Sequence, residues 1–147
     1  MKKFRAMILP MLLLGFLSVS CNNDDDSSSG NDDLIVGTWK VSNAWIGEES
    51  IYDQLLQTNF CAMQNLYNFM NDNSLEIDTF EEGITPENCV IGVTQTGTWT
   101  KTDDVYSVTF DESGETSSST VTFQNDNTFT TQTIFQGQSV LLEFTRQ

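Results

Sequence analysis

The side chains with the most chemistry to offer are carboxylates, and they concentrate in one stretch of the chain. Glu76, Asp78, Glu81, Glu82 and Glu87 lie close together, and a pair of carboxyl groups is the machinery of glycoside hydrolysis. However, Glu76 and Asp78 alternate with apolar residues, which is typical of the solvent face of a half-buried strand. The chain contains no histidine, so the commonest general base is missing. We therefore predict that the protein is not an enzyme.

A calcium loop is the other chemistry that these acidic residues suggest. Asp72, Ser74, Glu76 and Asp78 offer alternating oxygen atoms. The sixth position of such a loop needs glycine for its sharp bend and here holds Ile77, and in a strand the oxygens line up about 7 Å apart. Gly-rich phosphate loops are absent from the sequence. We predict neither a metal site nor a cofactor.

The N-terminal segment has the layout of an export signal. Residues 1–20 begin with basic side chains and continue with the apolar run Met7–Val19, about 13 residues against the ~20 that span a bilayer. The sequence from Ser18 to Cys21 resembles the lipobox of bacterial lipoproteins, with Ser18 where leucine is usual. The resemblance implies a signal peptide over 1–20 and lipid attachment to Cys21, which anchors the chain to a membrane. Simple cleavage that leaves a free thiol is the alternative.

An acidic, polar segment follows Cys21. The run Asp24-Asp25-Asp26 resembles the surface-export signal of bacteroidete-type lipoproteins, although clustered like charges are also ordinary in a solvated linker. We predict a disordered acidic linker within 21–33 and a lipid-anchored protein of the outer membrane. The cell surface is the expected side, and the periplasmic face is the alternative.

The other two cysteines form a natural pair once Cys21 carries the lipid. An exported protein meets an oxidising compartment, so we predict a disulfide between Cys61 and Cys89. The spacing of these cysteines does not match a zinc site.

The net charge of −15 limits the partners of the protein. The basic residues beyond the signal peptide are only Lys40, Lys101 and Arg146. All 21 acidic residues lie beyond it. Such a field repels nucleic acid and anionic membrane surfaces. We predict no nucleic-acid partner and membrane contact only through the lipid.

From Leu34 onward the chain is rich in Thr, Val, Phe and Trp that alternate with polar residues, which predicts strands. The predicted strands are Val36–Ile46, Leu66–Met70, Leu75–Phe80, Val93–Lys101, Val105–Phe110, Ser118–Gln124, Thr128–Phe135 and Ser139–Arg146. A short helix is predicted within Ile51–Gln64, after the first strand. Eight strands joined mostly by short turns are the number that closes a small barrel. The predicted fold is therefore all-β, an eight-stranded antiparallel up-and-down barrel over residues 34–147.

The opening of the first strand adds a family resemblance. Gly37-Thr38-Trp39 is similar to the Gly-x-Trp opening of lipocalins, in which the tryptophan closes the barrel floor and an arginine near the end of the last strand packs over it. Together with the lipobox, the acidic linker and the paired cysteines, the pattern resembles the lipocalin-like domain lipoproteins of bacteroidete-type bacteria over essentially the whole mature chain. The resemblance implies a lipocalin-like barrel with Trp39 and Arg146 at its floor.

The inward positions of a small barrel either fill with their own side chains or surround one small ligand. Alternation places these residues inside: Trp39, Val41, Trp45, Leu75, Ile77, Trp99, Tyr106, Val108, Phe110, Val121, Phe123, Phe129, Phe135, Val140, Leu142 and Phe144. Trp45 lies up the first strand toward the open end, and Tyr52, Leu55 and Leu56 follow as a lid. These four residues and Tyr106 are the predicted ligand contacts. We predict a monomer that binds a small apolar or amphipathic ligand without catalysis. The alternative is a packed barrel that serves as a structural or protein-interaction module of a surface complex.

Overall fold

A computed structural model describes residues 33–85 and 88–147. The strands are β1 Gly37–Ile46, β2 Glu49–Ser50, β3 Leu66–Phe69, β4 Ser74–Glu82, β5 Cys89–Thr102, β6 Val105–Phe110, β7 Thr116–Asn125, β8 Thr128–Phe135 and β9 Gln138–Arg146. The helix α1 spans Tyr52–Thr58, and a 3-10 turn follows at Ala62–Gln64. The predicted signal peptide, Cys21 and nearly all of the predicted linker lie outside the described residues.

Eight of the strands form a closed antiparallel barrel. β1 and β3 to β9 follow one another around the sheet, and β9 returns to pair with β1 from Trp39↔Arg146 to Trp45↔Leu141. The two-residue β2 pairs with the end of β1. The predicted fold class, an up-and-down barrel with one short helix after the first strand, is confirmed.

Tight turns join several of the neighbouring strands, and the residues of these turns explain their backbone conformation. Gln136 and Gly137 both have positive φ, 50° and 80°, the geometry whose twist suits a two-residue hairpin turn between β8 and β9.

The largest difference from the predicted strands lies in the hairpin of β4 and β5. β5 begins at Cys89 rather than Val93, because β4 continues to Glu82 and pairs with the start of β5.

The core is an aromatic cluster inside the barrel. Trp39 and Trp99 are fully buried, and Trp39 meets Phe129 edge-on with 4.7 Å between ring centroids. Phe129 stacks on Phe144 at 4.8 Å. The prediction from the sequence put these residues inside the barrel, because successive side chains of a strand point to opposite faces. Phe135, predicted to face inward, is 46% exposed at the last residue of β8.

Trp45 lies on the outer face of the barrel, contrary to the sequence-based expectation. A β-bulge shifts the register of β1 against β9 between Val41 and Asn43. The extra residue puts Ala44, which is fully buried, opposite the inward Leu142. Trp45 then pairs with Leu141 and points outward, because a one-residue shift moves every later side chain to the other face.

The helix α1 packs next to β1. The Tyr52 hydroxyl donates a hydrogen bond to the Val41 carbonyl at 3.4 Å, and Tyr52 packs against the core. Leu55 lines a groove together with Phe135, the last residue of β8, and Gln136 of the turn that follows. Within the described part of the chain, every helix is too short or too polar to cross a membrane.

The disulfide between Cys61 and Cys89 is present, with 5.3 Å between the Cα atoms. It joins the segment after α1 to the first residue of β5. The bond therefore ties the connection that leaves β1 to the far end of the long β4–β5 hairpin.

Candidate ligand-binding site

The barrel interior contains a cavity of about 230 Å³ that is partly open to solvent. Six strands and the segment before β1 contribute its lining: Ile35, Tyr67, Phe69, Leu75, Ile77, Tyr106, Val108, Phe110, Ser117, Ser119, Val121, Phe129, Thr131 and Phe144. Eleven of these fourteen side chains are aliphatic or aromatic, and the remaining three carry hydroxyl groups. The cavity therefore offers an apolar surface with hydroxyl groups from β7 and β8.

One end of the cavity is closed by the floor of the barrel. The Arg146 guanidinium carbon lies 4.3 Å from the centroid of the Trp39 ring, an arrangement that provides cation–π attraction. The same guanidinium donates hydrogen bonds to the carbonyls of Leu34 at 2.8 Å and Val36 at 2.6 Å. The Trp39 indole N–H donates to the Ile35 carbonyl at 2.6 Å. These bonds hold the segment before β1 across the floor, and its buried Ile35 forms the bottom of the cavity.

The same segment is attached to the opposite side of the barrel by Asp33. Lys101 Nζ lies 2.7 Å from one Asp33 carboxylate oxygen, and the Tyr106 hydroxyl donates to the other at 2.5 Å. Burial raises the pKa of Asp33, but hydrogen bonds from Lys101, Tyr106 and the Ile35 amide outweigh it and lower the pKa below its ordinary value. Asp33 thus stays ionised and pins the floor segment between β5 and β6.

The cavity itself is uncharged. Burial, followed by the hydrogen bond to Asp33, raises the pKa of Tyr106 to about 12. Burial also raises the pKa of Tyr67. Both phenols are therefore protonated at neutral pH, and no carboxylate or amine belongs to the lining. The forces that such a lining offers to a molecule inside it are packing and hydrogen bonding.

The predicted ligand contacts are only partly brought together. Tyr106 lines the cavity, whereas Trp45, Tyr52, Leu55 and Leu56 are not among the lining residues. The helix that was predicted to act as a lid lies beside the end of β1 and the turn between β8 and β9, and its Tyr52 packs against the core. In the described part of the chain, no group of three His, Cys, Asp or Glu side chains is placed to hold a metal ion.

Sequence reasoning missed the hydroxyl groups of the cavity. Three hydroxyl side chains face inward, those of Ser117, Ser119 and Thr131. They lie an even number of residues from the inward apolar residue of the same strand, Val121 in β7 or Phe129 in β8. Extending that alternation toward the start of β7 and along β8 predicts their orientation. The signal was overlooked because serine and threonine are ordinary on the solvent face of a strand.

Comparison with known proteins supports the fold alone. No protein-family model matches the chain, and no curated protein matches it. An uncharacterized protein from Bacteroides eggerthii superposes with a TM-score of 0.50 at 11% identity, covering 76% of this chain and 98% of that chain. A redesigned β-barrel gives a TM-score of 0.42 at 17% identity, covering 78% and 92%. At this identity the similarity to the Bacteroides protein carries no information on the ligand.

Proposed function

We propose that the barrel binds one small apolar or amphipathic molecule in its interior, without catalysis. The observation that carries this proposal is the uncharged cavity of about 230 Å³ among the aromatic side chains of the barrel. A core that was filled by its own side chains would leave no such space, because protein interiors are normally close-packed. Apolar surface that enters this cavity leaves water, which is the main source of affinity for such a ligand.

The volume limits the size of the ligand. An engineered apolar cavity of about 150 Å³ holds benzene, which has six carbon atoms. In proportion, the cavity of about 230 Å³ in this barrel has room for about nine carbon atoms. Larger ligands such as steroids or long fatty acids exceed this volume. The proposed ligand is therefore a short chain or a single ring system.

The experiment is calorimetric titration of the purified protein with straight-chain alcohols from butanol to dodecanol. Affinity is expected to rise about fourfold for each added methylene, because burial of a methylene contributes about 0.8 kcal/mol. The rise should stop at about nine carbons, where the chain fills the cavity. Ser117→Phe places an aromatic ring in the cavity opening and should weaken octanol binding at least tenfold, since Ser117 lines the cavity and is exposed.

The matched control is Thr116→Phe, one residue earlier in β7. Thr116 pairs with Thr109 and bonds to its hydroxyl on the outer face, so a ring there leaves the cavity open. Equal octanol affinity in the two variants would contradict binding inside the barrel, and so would the absence of binding to the wild-type protein.

A protein-interaction module is the second candidate function. The far end of the β4–β5 hairpin carries apolar side chains in water: Ile91 is 58% exposed, Val93 57% and Val90 42%. Exposed apolar patches of this kind often mark protein contacts. A protein that binds none of the alcohols would favour this function over the first.

We further propose that the protein is a lipoprotein of the outer membrane, anchored through Cys21 and facing the cell surface. The lipobox-like sequence and the acidic run after it support this location. In a Gram-negative host, radioactive palmitate should label the wild-type chain and fail to label Cys21→Ser. Label that persists in the variant would overturn the anchor.

A further inference from the structure

The barrel wall is split between β7 and β8. Backbone pairing of the two strands runs from Asn125↔Thr128 only as far as Val121↔Thr131. Beyond that point Thr116–Thr120 pair with β6, and Gln132–Phe135 pair with β9. Backbone donors and acceptors that face the split are therefore not joined by a strand ladder, and a buried or bound polar group can satisfy them.

Side chains bridge the first part of the split. The Ser119 hydroxyl donates to the Gln132 carbonyl at 3.1 Å, and the Thr131 hydroxyl donates to the Thr120 carbonyl at 2.9 Å. The two hydroxyl oxygens also lie within hydrogen-bond distance of each other, and because each hydroxyl has one proton, one of them releases its carbonyl partner when it donates to the other. Hydroxyl groups thus take the place of backbone pairing at the point where the wall opens.

On the outer side of the split lies a groove of about 440 Å³, next to the interior cavity. Ser119 and Thr131 line both spaces and form the boundary between them. The groove is lined by Ser118, Ser119, Thr120, Thr122, Thr130, Thr131, Gln132 and Leu141. An apolar space and a polar space therefore meet at one pair of hydroxyl groups.

The groove is uncharged in a protein whose net charge is −15. The nearest carboxylate on β9 is that of Glu143, opposite Thr130, and it accepts a hydrogen bond from Ser42 of β1 at 3.1 Å, on the other side of β9. An anionic head group would be repelled by the protein as a whole. A cationic one would find no carboxylate among the lining residues. The lining favours hydroxyl and amide hydrogen bonds.

We propose that the ligand is an amphiphile with one short apolar chain and an uncharged polyhydroxyl head group, whose head occupies the groove between β7 and β8. This proposal rests on the proposed function, because the apolar chain is the part that occupies the cavity. The chain enters past Ser119 and Thr131, and the head remains outside. There its hydroxyl groups pair with Thr130, Gln132 and backbone groups along the split.

The experiment compares three probes with the same chain length below their micelle concentrations. These are n-octyl β-D-glucoside, 1-octanol and octanoate, each titrated calorimetrically into the purified protein. Two additional hydrogen bonds, each worth about fivefold in affinity, should make the glucoside bind at least tenfold more tightly than octanol. Octanoate should bind more weakly than octanol, and the difference should shrink in high salt.

The double variant Thr130→Val with Gln132→Ala tests the groove, because both residues line the groove and not the cavity. It should lower the affinity for octyl glucoside about tenfold and leave that for octanol unchanged. Thr100→Val is the matched control: Thr100 is exposed on β5, opposite Ser107, outside both spaces. It should change neither affinity.

The outcomes separate this proposal from the proposed function. Binding of octanol together with equal or weaker binding of octyl glucoside would overturn the head-group assignment and leave the cavity function standing. An unchanged glucoside affinity in the double variant would overturn the groove as its position. Binding of none of the probes would overturn the cavity function, and the present proposal with it.

Discussion

Replacing Trp39 with alanine is expected to lower the free energy of unfolding by about 3–5 kcal/mol, the usual range for truncating a buried tryptophan. The side chain is 0% exposed and packs against Phe129 and Phe123. The variant also loses the indole hydrogen bond to the Ile35 carbonyl and the ring beneath the Arg146 guanidinium. Both the core and the attachment of the floor segment are therefore weakened at once.

Urea unfolding followed by far-ultraviolet circular dichroism measures this loss without relying on tryptophan fluorescence. Trp45→Ala is the matched control, because Trp45 is only half-buried and lies on the outer face beyond the β-bulge. It should lose less than half as much stability. If Trp39→Ala does not fold, Trp39→Phe replaces it in the comparison. Trp39→Phe should still lower the free energy of unfolding more than Trp45→Ala does. Equal losses at the two positions would contradict the assignment of inner and outer faces.

Reduction of the disulfide is expected to lower the free energy of unfolding by about 3–4 kcal/mol on the chain-entropy model of loop closure. The Cys61–Cys89 bond has a sequence separation of 28 residues, and the loop it closes is otherwise free to expand in the unfolded chain. Cys61 is also buried, 3% exposed, so its sulfur contributes to packing between the 3-10 turn and β5.

The measurement is a pair of urea titrations of the wild-type protein, with and without dithiothreitol. The double variant Cys61→Ala with Cys89→Ala serves as the control, since the reductant should not alter its unfolding midpoint. A wild-type midpoint that does not move on reduction would show that the bond adds nothing to stability.

Most of the barrel could be predicted from local patterns. β6 and β8 have the predicted bounds, because alternation of apolar and polar side chains is read within a single strand. The turn at Gln136-Gly137 and those at Asn73 and Asp103 are also local, since their residues tolerate positive φ. The start of β5 was misplaced by four residues, because it depends on how far β4 extends as its partner.

Orientation beyond a bulge could not be predicted. Alternation counted from Trp39 and Val41 puts Trp45 inside, and one extra residue near Ser42 reverses that assignment. The bulge depends on pairing with β9, about a hundred residues away in the chain.

The amino-acid sequence by itself determined the strand content, the number of strands in the barrel, the pairing of Cys61 with Cys89 and the expectation of Arg146 beside Trp39. These features follow from residue type, from spacing along one strand, or from the family resemblance. Only the tertiary structure decided that an uncharged cavity remains inside, that Asp33 pins the floor segment, and that the wall opens between β7 and β8. Each of these depends on which distant side chains meet and how completely they fill the space, and no local pattern encodes that packing.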